Sequence, residues 1–229
     1  MREAGTLAIP TTLEELLDPS VCALLVYDVQ VGIVRQIADG VPVVDRVRRV
    51  LDAARSANVR TYFTRHMSLP KKLMGICQYR TAMSWQRKDD PNAVSPWFLR
   101  DSAGFAIVPE LQPRADEAIF DKITMSAFEG TPLAIALRDC GIRSVVLCGI
   151  ALEIGIEPTA RHAVDLGIVP VIVADACGHG NAEAARRTTD QLNFLGDTEF
   201  TDIATIEAMW KDSARTAGRF EELEHGNRQ

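Results

Sequence analysis

The feature that most constrains the fold of this chain is a set of short, continuous apolar runs. The run Val21–Tyr27, with the sequence VCALLVY, ends abruptly at Asp28. Runs of this kind are typical of strands buried on both faces, as in parallel sheets, because no position alternates to face water. Further strands are predicted at Val59–Thr64, Ala118–Asp121, Ser144–Cys148 and Val169–Ala174.

Helical patterns separate these strands. Asp45–Ala57 has an apolar stripe opposite a row of arginines, and Thr131–Cys140 and Ile156–Leu166 each stop before a glycine. Strands that alternate with helices of about 10 to 15 residues indicate βαβ units. We therefore predict an α/β fold, a three-layer sandwich with a central, mostly parallel sheet and helices on both faces, in a single domain over residues 1–229.

Two segments depart from this alternation. Residues 67–107 include Trp85, Trp97 and several cations, and we predict a covering loop or small insertion over a functional site. Its aromatic and arginine side chains are expected to set substrate specificity. Residues 207–229 form a polar, helix-compatible C-terminal tail, which favours a solvated or oligomer-packing helix over a functional one.

Composition excludes several classes of protein. The 229 residues carry a net charge of −6, so no basic surface is available for nucleic acid. No apolar run approaches the roughly 20 residues of a membrane helix, and the N-terminus lacks the basic and apolar regions of a signal peptide. The five cysteines are odd in number and form no CxxC pair. This pattern predicts a cytoplasmic protein with reduced thiols and argues against a disulfide or zinc scaffold.

Polar residues that follow the predicted strands are the first candidates for a site, because ligands bind at the carboxyl ends of parallel strands. Asp28 and Lys122 follow two different strands, and an acid and a lysine at one edge can tune each other for proton transfer. Ser126 and Glu129 have the spacing of a capping box, which predicts that a helix begins there. The other strand-end residues are Gln30, Thr64, Arg65, His66, Gly149–Gly155 and Asp175.

Four segments carry a more specific pattern. They are LLVYDVQ at 24–30, KxxxSAFxxTxL at 122–133, GIALEIGIEPTARHAVDLG at 149–167 and VADAC at 173–177. In this order and spacing, over about Val21–Ile206, they resemble the isochorismatase-like hydrolases. That superfamily includes nicotinamidases, N-carbamoylsarcosine amidohydrolases and isochorismatases.

The resemblance implies a triad of Asp, Lys and Cys. Asp28 corresponds to the general acid/base and Lys122 to its partner, but the nucleophile position, six residues after Gly149, is Gly155. The loop before it usually contains a cis peptide, and the resemblance implies an oxyanion site at the amides of Ala151 and Gly155. A glycine removes the thiolate and is expected to leave room for water or substrate.

Further residues are candidates around this core. Gln30, Phe128, Arg65 and His66 are predicted to contact substrate, with Arg65 suited to an acidic group, and Glu153 is a hypothetical water activator. The thiol of Cys177 is a less favoured alternative nucleophile. Some relatives carry an Asp-x-His metal motif after the second strand, where this chain has Thr64-Arg-His66, so we predict no metal and no cofactor.

Three functions remain open from the sequence. The first is a small-molecule hydrolase that uses Asp28 and Lys122 for cofactor-free acid/base attack by water, as the isochorismatase branch works without the cysteine. The second is an amidohydrolase whose nucleophile has become Gly155, in evolution or by engineering. The third is a non-catalytic member that binds a metabolite. The family resemblance also implies a homodimer or homotetramer, and neither nucleic acid nor a membrane is an expected partner.

Overall fold

A computed structural model describes residues 1–213 of the chain, and its elements alternate between strands and helices. The strands are β1 (Arg2–Ala4), β2 (Leu7–Ile9), β3 (Cys22–Tyr27), β4 (Arg60–His66), β5 (Ala118–Lys122), β6 (Ser144–Ile150), β7 (Val169–Gly178) and β8 (Glu199–Thr201). The helices are α1 (Leu13–Leu16), α2 (Val31–Val34), α3 (Gly40–Ser56), α4 (Ile76–Gln86), α5 (Leu133–Asp139), α6 (Glu157–Asp165), α7 (Ala182–Leu195) and α8 (203–213). Short 3-10 helices lie at Lys71–Leu73, Pro91–Ala93 and Pro109–Leu111, and a π-helical turn lies at Leu152–Ile156.

A six-stranded sheet forms the centre of the molecule, in the order β5-β4-β3-β6-β7-β8. Every neighbouring pair in this sheet is parallel. The chain builds outward from β3 through β4 to β5 and then returns to place β6 on the other side of β3. The order of strands therefore reverses between β3 and β6, which is where open α/β sheets bind ligands. All five predicted strands are confirmed, whereas β8 and the β1-β2 hairpin are additional, because segments this short carry little periodicity.

Helices cover both faces of the sheet. Along β3, Cys22, Leu24 and Val26 belong to the core under α3 and α8. The alternate residues of β3 belong to a second core under α5, α6 and α7, and Tyr27 is the last of them. This alternation follows from the period of two along a strand. The predicted three-layer α/β sandwich is confirmed.

Two predicted helix starts differ from the structure. Helix α3 begins at Gly40 and not at Asp45, since Pro42 is tolerated in a first turn that needs no donor there. The helix predicted at Ser126 is wrong, because residues 123–130 form bends and turns. The Ser126 hydroxyl forms a hydrogen bond with Nδ1 of His162 at 2.9 Å and accepts one from the Phe128 amide at 3.2 Å. Ser126 therefore anchors a loop.

Parts of the predicted covering segment, residues 67–107, face His66 at the end of β4 and residues 123–125 after β5 across a cavity, and its function as a covering loop or insertion stays a prediction. The segment contains α4. A β-bridge between Gln30 and Ile107 joins it to the rest of the protein, and a second β-bridge, between Ser68 and Leu99, lies within the segment. Helix α8 includes the start of the predicted tail 207–229, whose remainder, 214–229, lies outside the described residues. Within residues 1–213, no helix is long and apolar enough to span a bilayer.

Candidate active site

A buried ion pair lies at the carboxyl ends of β3 and β5. The Lys122 ammonium donates to Oδ2 of Asp28 at 2.6 Å, and both side chains are at most 5% exposed. The other carboxylate oxygen of Asp28 accepts from the Thr64 hydroxyl at 2.6 Å. Asp28 has a φ of +49°, a conformation that non-glycine residues seldom adopt and that often marks a functional position. The structure thus brings together the acid and the lysine that the sequence singled out.

Tyr27 is a third member of this cluster that the sequence did not reveal. The Lys122 ammonium donates to its hydroxyl at 2.8 Å and lies 4.2 Å from the centre of its ring. The Tyr27 hydroxyl in turn donates to the carbonyl of Met125. In the sequence, Tyr27 is only the last residue of an apolar run. Its position directly before Asp28 is the one sequence feature that could have suggested a place in the site.

The Tyr27 side chain occupies the space next to Gly155. A Cβ atom placed on Gly155 would overlap the hydroxyl, Cζ and Cε1 of Tyr27, far inside van der Waals contact. Gly149 is equally constrained, because its Cβ would meet the backbone of Tyr27 and its φ is +125°. The expectation that the glycine at 155 leaves room for water or substrate is therefore wrong, since the phenol fills that room.

The loop before Gly155 is hydrogen-bonded within itself. The Ile150–Ala151 peptide is cis, as the resemblance implies. However, the Gly155 amide donates to the Ala151 carbonyl at 3.0 Å, so in this conformation it has no free hydrogen for an anion. The oxyanion role of these two amides stays a prediction that this geometry does not support.

The carboxylate of Glu153 points toward the start of α7. Its Oε1 accepts from the amides of Gly180 and Asn181 at 2.8 and 2.7 Å. This arrangement supports a cap on the following helix and not the hypothetical activation of water. Asp175 is likewise displaced from the site, because β7 continues past it and its carboxylate accepts from the Ile203 amide at 3.0 Å.

A cavity of about 350 Å³ lies between the strand ends and the covering segment. Its lining comes from three regions of the chain: the end of β4 and its continuation, α4 with residues 95–98, and residues 123–125. Among residues 1–213, those that line the cavity include no Asp, Glu, Lys or Arg. Asp28 and Lys122 lie outside the lining, so residues 123–125 separate the ion pair from the cavity.

Only one of the four predicted substrate contacts, His66, lines this cavity. Gln30 is fully buried, and its side-chain oxygen accepts a hydrogen bond from the backbone amide of His66, at the end of β4, at 2.6 Å. Arg65 pairs with Asp121 at 2.8 Å and stacks on Phe105, so the prediction that it meets an acidic substrate lacks support.

Phe128, the fourth predicted contact, packs against the ring of His162 with a centroid separation of 5.5 Å. It is buried in the core cluster that also contains Tyr27, and it lies outside the cavity lining. Its place in the structure is therefore that of a core residue behind the site.

Burial shifts the ionisation of the groups in the site. Burial lowers the pKa of Lys122 below its usual value, although the nearby Asp28 carboxylate acts against this change. Burial and the same carboxylate raise the pKa of Tyr27. Burial also lowers the pKa of His66, with Asp28 opposing and Lys122 assisting the shift. Both shifts favour the uncharged forms of Tyr27 and His66.

Of the five cysteines, Cys77 is exposed and lines the cavity, whereas Cys22, Cys148 and Cys177 are buried. Burial raises the pKa of Cys177 to about 12, and its thiol donates to the Val173 carbonyl at 3.3 Å. Burial raises the pKa of Cys148 well above its usual value, and Cys77 and Cys140 are exposed. All five thiols are free. Across residues 1–213, no three His, Cys, Asp or Glu side chains lie close enough together to hold a metal ion.

Comparison with known proteins places this geometry in a family. The Isochorismatase domain matches residues 22–208. The chain is 26% identical over 199 residues to ureidoacrylate amidohydrolase RutB of Serratia proteamaculans, an alignment that covers 80% of each protein. It is 53% identical over 66 residues to the isochorismatase family protein YecD of Escherichia coli O157:H7, which covers 29% of this chain and only 35% of that protein.

Solved structures agree with this assignment at the level of the fold. A cysteine hydrolase from Pseudomonas syringae pv. phaseolicola superposes with a TM-score of 0.71 at 21% identity, over 85% of this chain and 94% of that one. The domain match spans the whole six-stranded sheet, and both Asp28 and Lys122 lie within it. The chain therefore belongs to the isochorismatase family of hydrolases.

Proposed function

We propose that this protein hydrolyses a small, uncharged molecule by direct attack of water, with no covalent intermediate at position 155. The observation that carries this proposal is the intact Asp28–Lys122 pair beneath a cavity without a charged lining residue. A glycine stands where the resemblance implies a nucleophile, so the pair has no thiol at position 155 to activate.

The acid/base chemistry is assigned to Asp28 and Lys122. The Lys122 ammonium donates to three oxygens, those of Asp28, Tyr27 and the Thr124 carbonyl, the last at 3.2 Å. Its lowered pKa makes this proton easier to transfer than that of a surface lysine. Because Asp28 is only 4% exposed, the proposal requires that residues 123–125 shift when a substrate binds.

The lining of the cavity indicates the class of substrate. Apolar side chains from Trp85, Trp97, Phe98 and Ile123 dominate it, and His66 is its one titratable imidazole. Bringing a carboxylate into such a lining would cost free energy, since no cation is present to pair with it. The name of the RutB relative suggests only the type of bond, a C–N bond of a ureido group, because the acrylate carboxylate in that name would find no cation among the described residues of this lining. Neutral amides and ureas are therefore the first compounds to test, in keeping with a C–N hydrolase as the alternative activity.

The test is a turnover screen of neutral amides, ureas and enol ethers with the wild-type chain, Asp28→Asn and Lys122→Met. We expect each variant to lose at least about a hundredfold in turnover, the usual contribution of general acid/base catalysis. Intact-mass spectrometry during turnover should show no adduct. Full activity in Asp28→Asn, or a covalent adduct on the protein, would contradict the proposal.

A second candidate is a non-catalytic protein that binds a metabolite in the same cavity. It is favoured by the separation of the ion pair from the cavity and by the three hydrogen bonds that satisfy Lys122. This candidate predicts that a neutral aromatic ligand raises the unfolding temperature equally in wild type and Asp28→Asn, with no turnover in either.

A further inference from the structure

We propose that Tyr27 replaces the missing nucleophile as the third member of this site. Tyr27 is the last residue of β3, directly before Asp28. Its phenol occupies the volume of a side chain at position 155 and positions the Lys122 ammonium. Tyr27 is a positioning residue, because it acts through Lys122 and does not line the cavity. This inference rests on the proposed function, but its test requires no turnover.

The Tyr27 side chain and position 155 compete for the same volume. A Cβ atom at position 155 would overlap three atoms of the Tyr27 side chain: its hydroxyl oxygen and two ring carbons. In this conformation, the tyrosine at position 27 therefore fits only with a glycine at position 155. A cysteine removed by an experimenter would leave a cavity, because nothing would have adapted to the loss. Here the space is filled, which favours a natural glycine that accompanies the tyrosine.

The Tyr27 hydroxyl also makes hydrogen bonds that hold it at Lys122. The Tyr27 hydroxyl accepts from Lys122 at 2.8 Å and donates to the Met125 carbonyl, so both of its roles are used. Tyr27 is 2% exposed, and its oxygen lies at the ammonium that also binds Asp28. A phenol oxygen therefore lies beside Lys122 at the point that a side chain from position 155 would approach.

The first experiment is a double-mutant cycle on thermal unfolding with Gly155→Cys and Tyr27→Val. Overpacking in Gly155→Cys should lower the midpoint by about 5 °C, and adding Tyr27→Val should recover most of that loss. Tyr27→Phe should not rescue Gly155→Cys, because the ring remains in place. Tyr62→Val is a matched control: Tyr62 lies in the same core cluster but stacks on Phe120, so it should give no rescue. Additive midpoints in the Tyr27→Val cycle would overturn the proposal.

The second experiment asks whether a thiol at position 155 senses Lys122. It uses the Tyr27→Val/Gly155→Cys chain with Cys77→Ser and Cys140→Ser, which remove the two exposed thiols. We expect the introduced thiol to react with iodoacetamide at pH 6.5 roughly tenfold faster than the same thiol in a chain that also carries Lys122→Met, since an adjacent ammonium lowers a thiol pKa. Peptide mapping identifies the alkylated position.

Adding Lys122→Met to that chain should abolish the increase in alkylation. A rate that Lys122→Met leaves unchanged would show that a side chain at position 155 does not reach the ammonium, so Tyr27 would not stand in its place and the inference would fail. Loss of turnover in Asp28→Asn together with additive midpoints would remove only the role of Tyr27. Coupled midpoints without turnover of any substrate would instead remove the proposed hydrolysis.

Discussion

At the scale of single residues, the buried charge of Lys122 governs the site. Its ammonium has no contact with solvent and relies on Asp28, Tyr27 and a backbone carbonyl for compensation. Water cannot reach a buried charge to replace a partner that has been removed. The Asp28–Lys122 pair therefore affects the stability of the fold as well as the chemistry of the site.

We expect Asp28→Ala to lower the free energy of unfolding by about 3 to 5 kcal/mol, because it leaves the Lys122 ammonium buried and unpaired. Urea denaturation at pH 7 measures this loss. Asp121→Ala is the control: Asp121 pairs with the partly exposed Arg65 and Arg100, and its loss should cost about 1 kcal/mol. Equal losses in the two variants would mean that water solvates the Lys122 ammonium once Asp28 is removed.

At the scale of elements, an ion pair fastens the end of α3 to the turn before β5. The Arg55 guanidinium donates to both oxygens of Glu117, at 2.7 and 2.8 Å, and also to the carbonyls of Leu111 and Gln112. Burial acts to raise the pKa of Glu117, but the hydrogen bonds and charge of Arg55 lower it overall. This contact holds the strand that carries Lys122.

The Glu117 contact predicts an acid-sensitive contribution to stability. Since the folded pKa of Glu117 is below its ordinary value of 4.5, the contribution is complete above pH 4.5 and is lost as the pH falls through the folded pKa. The wild type should therefore exceed Glu117→Gln in free energy of unfolding at pH 7, by a margin that shrinks toward pH 3. Urea titrations at both pH values measure it, and a margin independent of pH would be the contrary result.

A second element-scale contact joins the π-helical turn to α7. Glu153 accepts from two amides before α7, and the Asn181 side chain accepts from the Ala184 amide at 2.9 Å. We expect Glu153→Gln to cost about 1 to 2 kcal/mol in stability and to leave ligand binding in the cavity unchanged. Asn181→Ala should cost about 1 kcal/mol, and the two losses should be non-additive because both serve one helix start. A selective loss of binding in Glu153→Gln would restore its predicted role at the site.

At the scale of the whole molecule, one tryptophan joins the first and last described segments. Trp210 of α8 is fully buried, and its indole donates to the carbonyl of Leu17 at 2.9 Å. Trp210→Ala should lower the free energy of unfolding by about 3 to 5 kcal/mol through lost burial, measured by urea denaturation with circular dichroism. Trp210→Phe retains most of the packing and should cost less; equal losses would assign the effect to the hydrogen bond alone.

The single-domain boundary at 1–229, the cytoplasmic location and the homo-oligomeric state stay predictions. Light scattering of the purified chain would determine the last of these directly.

Much of the fold could be read from local patterns. Cys22–Tyr27 is apolar at every position, and such a run must be buried on both faces, which requires a layer of helices on each side. Asp28 and Lys122 follow two such strands, and parallel strands end at one edge, so their meeting could be expected from the sequence. The edge strand Glu199–Thr201 could not, because three residues show no period.

What only the tertiary structure decided concerns residues far apart in the chain. The order of strands determines which strand ends adjoin, and it places Tyr27 against Gly155 and the covering segment over the edge of the sheet. The sequence by itself indicated the α/β fold of a hydrolase and an acid–lysine pair at one edge of the sheet. The tertiary structure decided that the Tyr27 phenol fills the space beside Gly155, because packing depends on volume in three dimensions and no local pattern encodes it.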